Sequence, residues 1–167
     1  MGLDVTAYEK VTLHQAMTVE QYNDMVDRDG EPGDEYVMLY YAGFEGRADG
    51  MPQGVYLDEG KSMEFRAGSY SGYNQWRANL ALLVGTTDRA VWNDPQPGPF
   101  VELINFSDCD GFIGPQTSAK LAADFATWQD RAATHADTLL ISWWLDAYSQ
   151  WRKAFELAAN GGVVRFH

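Results

Sequence analysis

Hydrophobic positions along this chain switch between two periods. From Leu3 to Leu13 apolar and polar residues alternate in a stretch rich in β-branched types, which predicts one strand over 3–13. Thr18 followed by Gln21 makes a capping box, so a short helix is expected at about 18–27. Tyr36 to Ala42 is a β-prone run closed by Gly43, and Gly46 to Pro52 reads as a loop. Segments 54–58 and 62–67 flank Glu59-Gly60-Lys61, which predicts a hairpin turn.

Later the period lengthens. Tyr73, Trp76, Leu80 and Leu83 recur at helical spacing within 70–84, as do Leu121, Phe125, Trp128 and Ala132 within 116–135. Leu140, Trp144, Tyr148, Trp151, Phe155 and Ala158 predict a long helix over 138–159, stopped by Gly161-Gly162. Their aromatic stripes read as core. Between the first two helices, Pro95 to Pro99 is a stiff linker into a strand predicted at 100–106, and Val163–Phe166 reads as a closing strand. With strands early and helices late, the pattern predicts a single α+β domain over 1–167. Its sheet is mostly antiparallel, with about three principal helices packed on one face.

Composition narrows the partners. The chain has 167 residues with 24 Asp and Glu against 12 Lys and Arg, a formal charge of −12. Such a field opposes binding to nucleic acid or to an anionic membrane. Acids are denser still from Glu20 to Glu35, where seven of them face only Arg28. Cys109 is the sole cysteine, so no intrachain disulfide forms. The start shows no basic region followed by an apolar run, and a cytoplasmic location is expected.

Against this background, residues 65–87 contain no acid at all. The segment Arg66-Ala67-Gly68-Ser69-Tyr70-Ser71-Gly72-Tyr73-Asn74-Gln75-Trp76-Arg77 follows a predicted strand and opens a helix. Glycines permit a sharp turn there, serines cap the helix start, and free amide N–H groups with the helix dipole favour an anion. Arg66 and Arg77 add groups suited to phosphate or carboxylate. The residues expected to bind ligand are therefore Arg66, Ser69, Tyr70, Ser71, Tyr73, Asn74 and Arg77. Glu102, Asn105, Asp108 and Arg152 join them from segments 102–111 and 148–155, with Arg152 at the edge of a packed helical face.

Other chemistry is weakly signalled. Asp108 and Asp110 precede Gly111 as in a calcium loop, but Phe106 and Thr117 occupy the outer ligand positions. An Asx-turn with Pro115 opening the next helix accounts for the same residues, so no metal is expected. Glu102, in an apolar strand, is expected to pair with an arginine. Cys109 lacks a nearby base, the serines lack a nucleophile elbow, and no cofactor fingerprint is present. His167 reads as a frayed end. The reading favours a binding protein over an enzyme.

Four stretches carry a resemblance: Gly2-Leu3-Asp4-Val5-Thr6-Ala7-Tyr8; Arg66 to Tyr73; Pro99-Phe100-Val101-Glu102-Leu103-Ile104-Asn105-Phe106-Ser107-Asp108; and Trp151-Arg152-Lys153-Ala154-Phe155 through His167. In these the chain resembles a family of small proteins encoded by bacteriophages, prophages and their proteobacterial hosts. The resemblance implies a setting, the cytoplasm of a bacterial host cell, and carries no mechanism. In that setting the expected role is sequestration of a nucleotide-like anionic small molecule used as a host-defence signal. Tyr70, Tyr73 and Trp76 would then stack on a base. Two alternatives stand beside it: an acidic module docking a host protein through 20–35, and a phosphoester or nucleotide hydrolase using Glu102, Asp108, Asp110 or His167. A second copy of the chain is a further candidate partner.

Overall fold

In the computed structural model, which describes residues Gly2–His167, the alternating stretch at the start forms two strands, β1 (Gly2–Tyr8) and β2 (Val11–Ala16). A corner at Glu9-Lys10 separates them. After α1 (Val19–Asp29) and β3 (Tyr36–Leu39) come β4 (Gly54–Asp58) and β5 (Ser62–Ser69), separated by a second corner at Glu59–Lys61. The two corners lie opposite each other: the Glu9 N–H donates to the Lys61 carbonyl at 2.8 Å, and the Glu59 N–H to that of Lys10 at 3.1 Å. Thus β1–β2 and β5–β4 form one long antiparallel ribbon, bent once and shared between two sheets. The hairpin expected at 59–61 is replaced by this bend, since β4 pairs with β2 and β3 while β5 pairs with β1.

The larger sheet has the order β5-β1-β7-β6, where β6 is Gly111–Ile113 and β7 is Val163–Phe166; the smaller has the order β2-β4-β3. All pairings are antiparallel. Seven helices and seven strands among the described residues make this an α+β fold, as the patterning predicts. Alternation along β7 assigns its faces. Val164 and Phe166 join the main core, while Val163 packs with Phe112 against Val37, Leu39 and Tyr56 of the smaller sheet.

The main core lies between the larger sheet and α2 (Tyr70–Leu83), α5 (Pro115–Thr127) and α7 (Trp144–Ala158). The expected aromatic stripes are buried there: Trp151 packs on Tyr73, Trp76, Phe155 and Phe65 with ring centroids 5.1–5.8 Å apart. Such rings each bury a large apolar area and dominate core energetics.

Five local features depart from expectation. The predicted helix 116–135 divides at Trp128 into α5 and α6 (Gln129–Ala136), and the predicted helix 138–159 contracts to α7. A short helix α3 (Asp88–Asn93), capped by Thr87 on the Ala90 N–H at 3.1 Å, and the three-residue β6 were not anticipated. The predicted strand 100–106 is instead α4 (Val101–Ile104). Its aromatic and β-branched residues suit a strand, but tertiary contacts hold both ends of the turn. Asp124 accepts from the Phe100 N–H at 2.9 Å, and Arg47 donates to the carbonyls of Glu102 and Asn105 at 3.1 and 3.2 Å. Propensity yields to these contacts.

Candidate functional site

At the start of α2 the expected cap forms: Ser69 is in extended backbone and its hydroxyl accepts from the Gly72 N–H at 3.1 Å. Ser71 lies beside it, with the two hydroxyls 3.2 Å apart. Gly68 adopts φ +116°, next to a bulge in the β1–β5 register, where a side chain would be strained. A hollow of about 480 Å³ adjoins this turn, lined by Arg66, Ser69, Gly72, Trp143, Asp146 and Gln150 among others.

Both arginines of the segment are engaged internally. Arg66 sits opposite Asp4 in the sheet register and contacts both carboxylate oxygens at 3.2 Å, in an exposed pair. Arg77 is buried and donates to the Phe106 carbonyl and to the side-chain oxygen of Asn74. Its guanidinium also lies 5.0 Å from the Tyr73 ring and 5.4 Å from that of Trp92, within cation–π range. Asn74 in turn donates to Asp108 at 2.7 Å, so an amide relays the charge of Arg77 to that carboxylate. Tyr73 is fully buried against Trp76 and Trp151, and burial raises its phenol pKa; Tyr70 is half-buried against the same core.

The remaining expected residues lie in separate local networks. Glu102 pairs with Lys120 rather than with an arginine, because α4 turns it toward α5; Lys120 also holds Asp124 at 2.8 Å. The Asn105 amide donates to the Val91 carbonyl at 3.3 Å. Arg152 pairs with Glu156 one helical turn on, at 2.7 Å, and reaches Gln129 at 3.2 Å. In place of an Asx-turn at Asp108, the Ser107 hydroxyl accepts from the N–H groups of Cys109 and Asp110. The expected opening of the next helix by Pro115 is present. His167 is tied into the sheet, exchanging backbone hydrogen bonds with Asp4 at 2.9 and 3.0 Å, and its ring meets the Thr6 hydroxyl at 2.9 Å. The eleven expected residues are therefore not gathered around one cavity.

A different cation lines a second hollow. Arg165 of β7 makes no ion pair among the described residues, and its Nε is buried without a hydrogen-bond partner. It lines a hollow of about 500 Å³ along the free edge of β3. Val19, Tyr22 and Asn23 of α1 line it too, together with Glu31, Tyr36, Val37, Met38 and Tyr40. The fold explains this grouping. Alternation sends Val37 and Leu39 toward the larger sheet, while Tyr36, Met38 and Tyr40 pack with Tyr22 on the side of α1. Arg165 and Val163 share the face of β7 that meets the Val37–Leu39 side of β3, and the hollow at the free edge of that strand is lined by residues from both of its sides.

Electrostatics at this hollow are mixed. Burial raises the phenol of Tyr40 to about 12, with Asp110 adding to the effect and Arg165 opposing it. The Tyr22 phenol is raised by burial and then by Glu31, to which it donates a long hydrogen bond of 3.4 Å. The sequence signal for Arg165 was one arginine in an otherwise apolar closing strand. Its unpaired state depends on β3, which is far away along the chain.

No family model, curated protein or solved structure matches the chain. Among the described residues there is no cluster of three or more metal-ligating side chains, and no helix is long and apolar enough to cross a membrane.

Proposed function

We propose that the protein binds and holds an anionic small molecule in the hollow beside Arg165. The single observation that carries this reading is that Arg165 lines the hollow and makes no ion pair among the described residues, in a chain whose acids outnumber its bases two to one. A phosphate or carboxylate in the hollow would be held by charge-assisted bonds to the Arg165 guanidinium. This moves the anion site from the start of α2, where Arg66 and Arg77 already have internal partners, to the edge of β3. In the phage setting suggested by the resemblance, holding such a molecule amounts to sequestration.

A thermal-shift series of anions on the intact chain and on Arg165→Met tests the reading; methionine keeps the aliphatic packing and removes the donors. A ligand at a hundred times its Kd stabilises by about 2.7 kcal/mol, roughly 5–10 °C for a chain of this length. Equal shifts in both proteins, or none in either, would remove the proposal.

A second reading is supported by α1, which buries no residue and carries most of the acid-rich segment on its surface. Docking of a basic host protein there would weaken steeply with salt, which pull-downs across a salt series would reveal. Binding insensitive to salt would exclude it.

A further inference from the structure

The hollow beside Arg165 is larger than a bare anion requires and chemically mixed in its lining. Its lining combines a single guanidinium and the exposed carboxylate of Glu31 with Tyr22, Tyr36 and Tyr40 and the aliphatic groups of Val19, Val37 and Met38. At about 500 Å³ it falls within the usual range for small-molecule sites, so inorganic phosphate would leave most of it unfilled. We propose that it takes a purine nucleoside monophosphate, with the phosphate on Arg165, the base among the three tyrosines, and an amino group of the base donating to Glu31. This inference rests on the anion reading above and specifies its ligand.

Three features support the assignment. Tyrosines offer flat faces at low entropic cost, and every purine has a face to stack. Tyr36 is braced from outside the hollow by His14, their ring centroids 4.9 Å apart, which holds one wall in place. Glu31 receives only the 3.4 Å contact from Tyr22, so its carboxylate retains acceptor capacity for an amino group. Charge also limits the ligand. One arginine balances one phosphate, while Glu31 and Asp110, which bears on Tyr40, would repel a polyphosphate chain.

Isothermal titration with adenosine monophosphate, adenosine triphosphate, ribose 5-phosphate, inorganic phosphate and purine riboside monophosphate tests the inference. The monophosphate is expected to bind at least about tenfold more tightly than ribose 5-phosphate, the loss of one stacked base. It is also expected to bind more tightly than the triphosphate and than the analogue without the amino group. Glu31→Ala, an exposed change that leaves the core intact, should erase the preference for the amino group while preserving phosphate binding. Tyr22→Leu should narrow the margin over ribose 5-phosphate. Tighter binding of the triphosphate, or equal binding of ribose 5-phosphate or inorganic phosphate, would overturn this assignment and leave the anion reading standing. No binding by any member of the series, with no shift in the wider anion panel, would end both.

Discussion

Trp76 and Trp144 each donate an indole N–H to the other's backbone carbonyl, both at 3.1 Å. The two residues lie on α2 and α7, and both rings are buried, so this reciprocal pair satisfies both indole N–H groups where no water reaches them, on carbonyls that also serve their own helices. Trp76→Phe removes one of these bonds and part of a buried ring, and the expected cost is about 2 kcal/mol, or roughly 4–8 °C in Tm. Trp144→Phe should behave alike. Because both bonds pin one helix contact, the double variant should lose less than the sum of the single losses. Additivity in a double-mutant cycle would show that the bonds are independent.

The two arginines near α2 should separate sharply. Arg66→Ala breaks an exposed pair and is expected to change stability by less than about 1 kcal/mol. Arg77→Ala strips charged donors from Asn74 and the Phe106 carbonyl inside the protein, and should cost about 3 kcal/mol. Arg77→Lys should restore little, because one ammonium does not reproduce the planar fork that spans both acceptors. Urea unfolding of the three variants checks the order; equal losses from Arg66→Ala and Arg77→Ala would contradict it.

His167 should titrate below the ordinary histidine value of about 6.5. Partial desolvation lowers its pKa first, and Arg165 lowers it further, while Glu64, Asp4 and Asp110 oppose both. With the folded pKa depressed, the unfolded chain takes up the proton first. The contribution is therefore fully present above the unfolded pKa of about 6.5 and is lost as pH falls from there through the folded value. In Arg165→Met the midpoint should rise, and an anion bound at Arg165 should raise it in the unaltered protein. Proton NMR of the ring through a pH series reads both effects; a midpoint unmoved by Arg165→Met would disconnect the two side chains.

Gly162 marks a point of close backbone approach. A Cβ there would sit 1.8 Å from the Tyr8 carbonyl oxygen and 2.8 Å from the Glu9 main chain, just where the ribbon bends. Gly162→Ala must push β1 away from the end of α7, and a loss of at least about 2 kcal/mol is expected. Denaturant unfolding measures it, and near-wild-type stability would mean that the corner at Glu9-Lys10 yields easily.

Several elements were legible because their signals act over a few residues. The capping box of Thr18 and Gln21 forms as read, with both of its hydrogen bonds present, and Ser69 caps α2 in the same way. The stripes of Tyr73, Trp76, Tyr148, Trp151 and Phe155 lie in the core because helical spacing places them on one face, whatever that face meets. The turn into α4 escaped notice since Arg47 and Asp124, which hold it, arrive from distant segments. The bend shared by residues 9–10 and 59–61 was hidden for the same reason: alternation reports that a chain is extended and says nothing about which sheet it enters. Counting charges found the acid-free stretch around Arg66, yet counting does not reveal which cations have partners. That depended on Asp4 lying across the strand, on Asn74 and Asp108 serving Arg77, and on β3 and α1 meeting β7 without giving Arg165 an ion-pair partner. Composition and period thus determined the class of fold and the makeup of its core, whereas the placing of charge was decided by contacts between residues far apart along the chain, since Coulomb and hydrogen-bond energies follow distance in space.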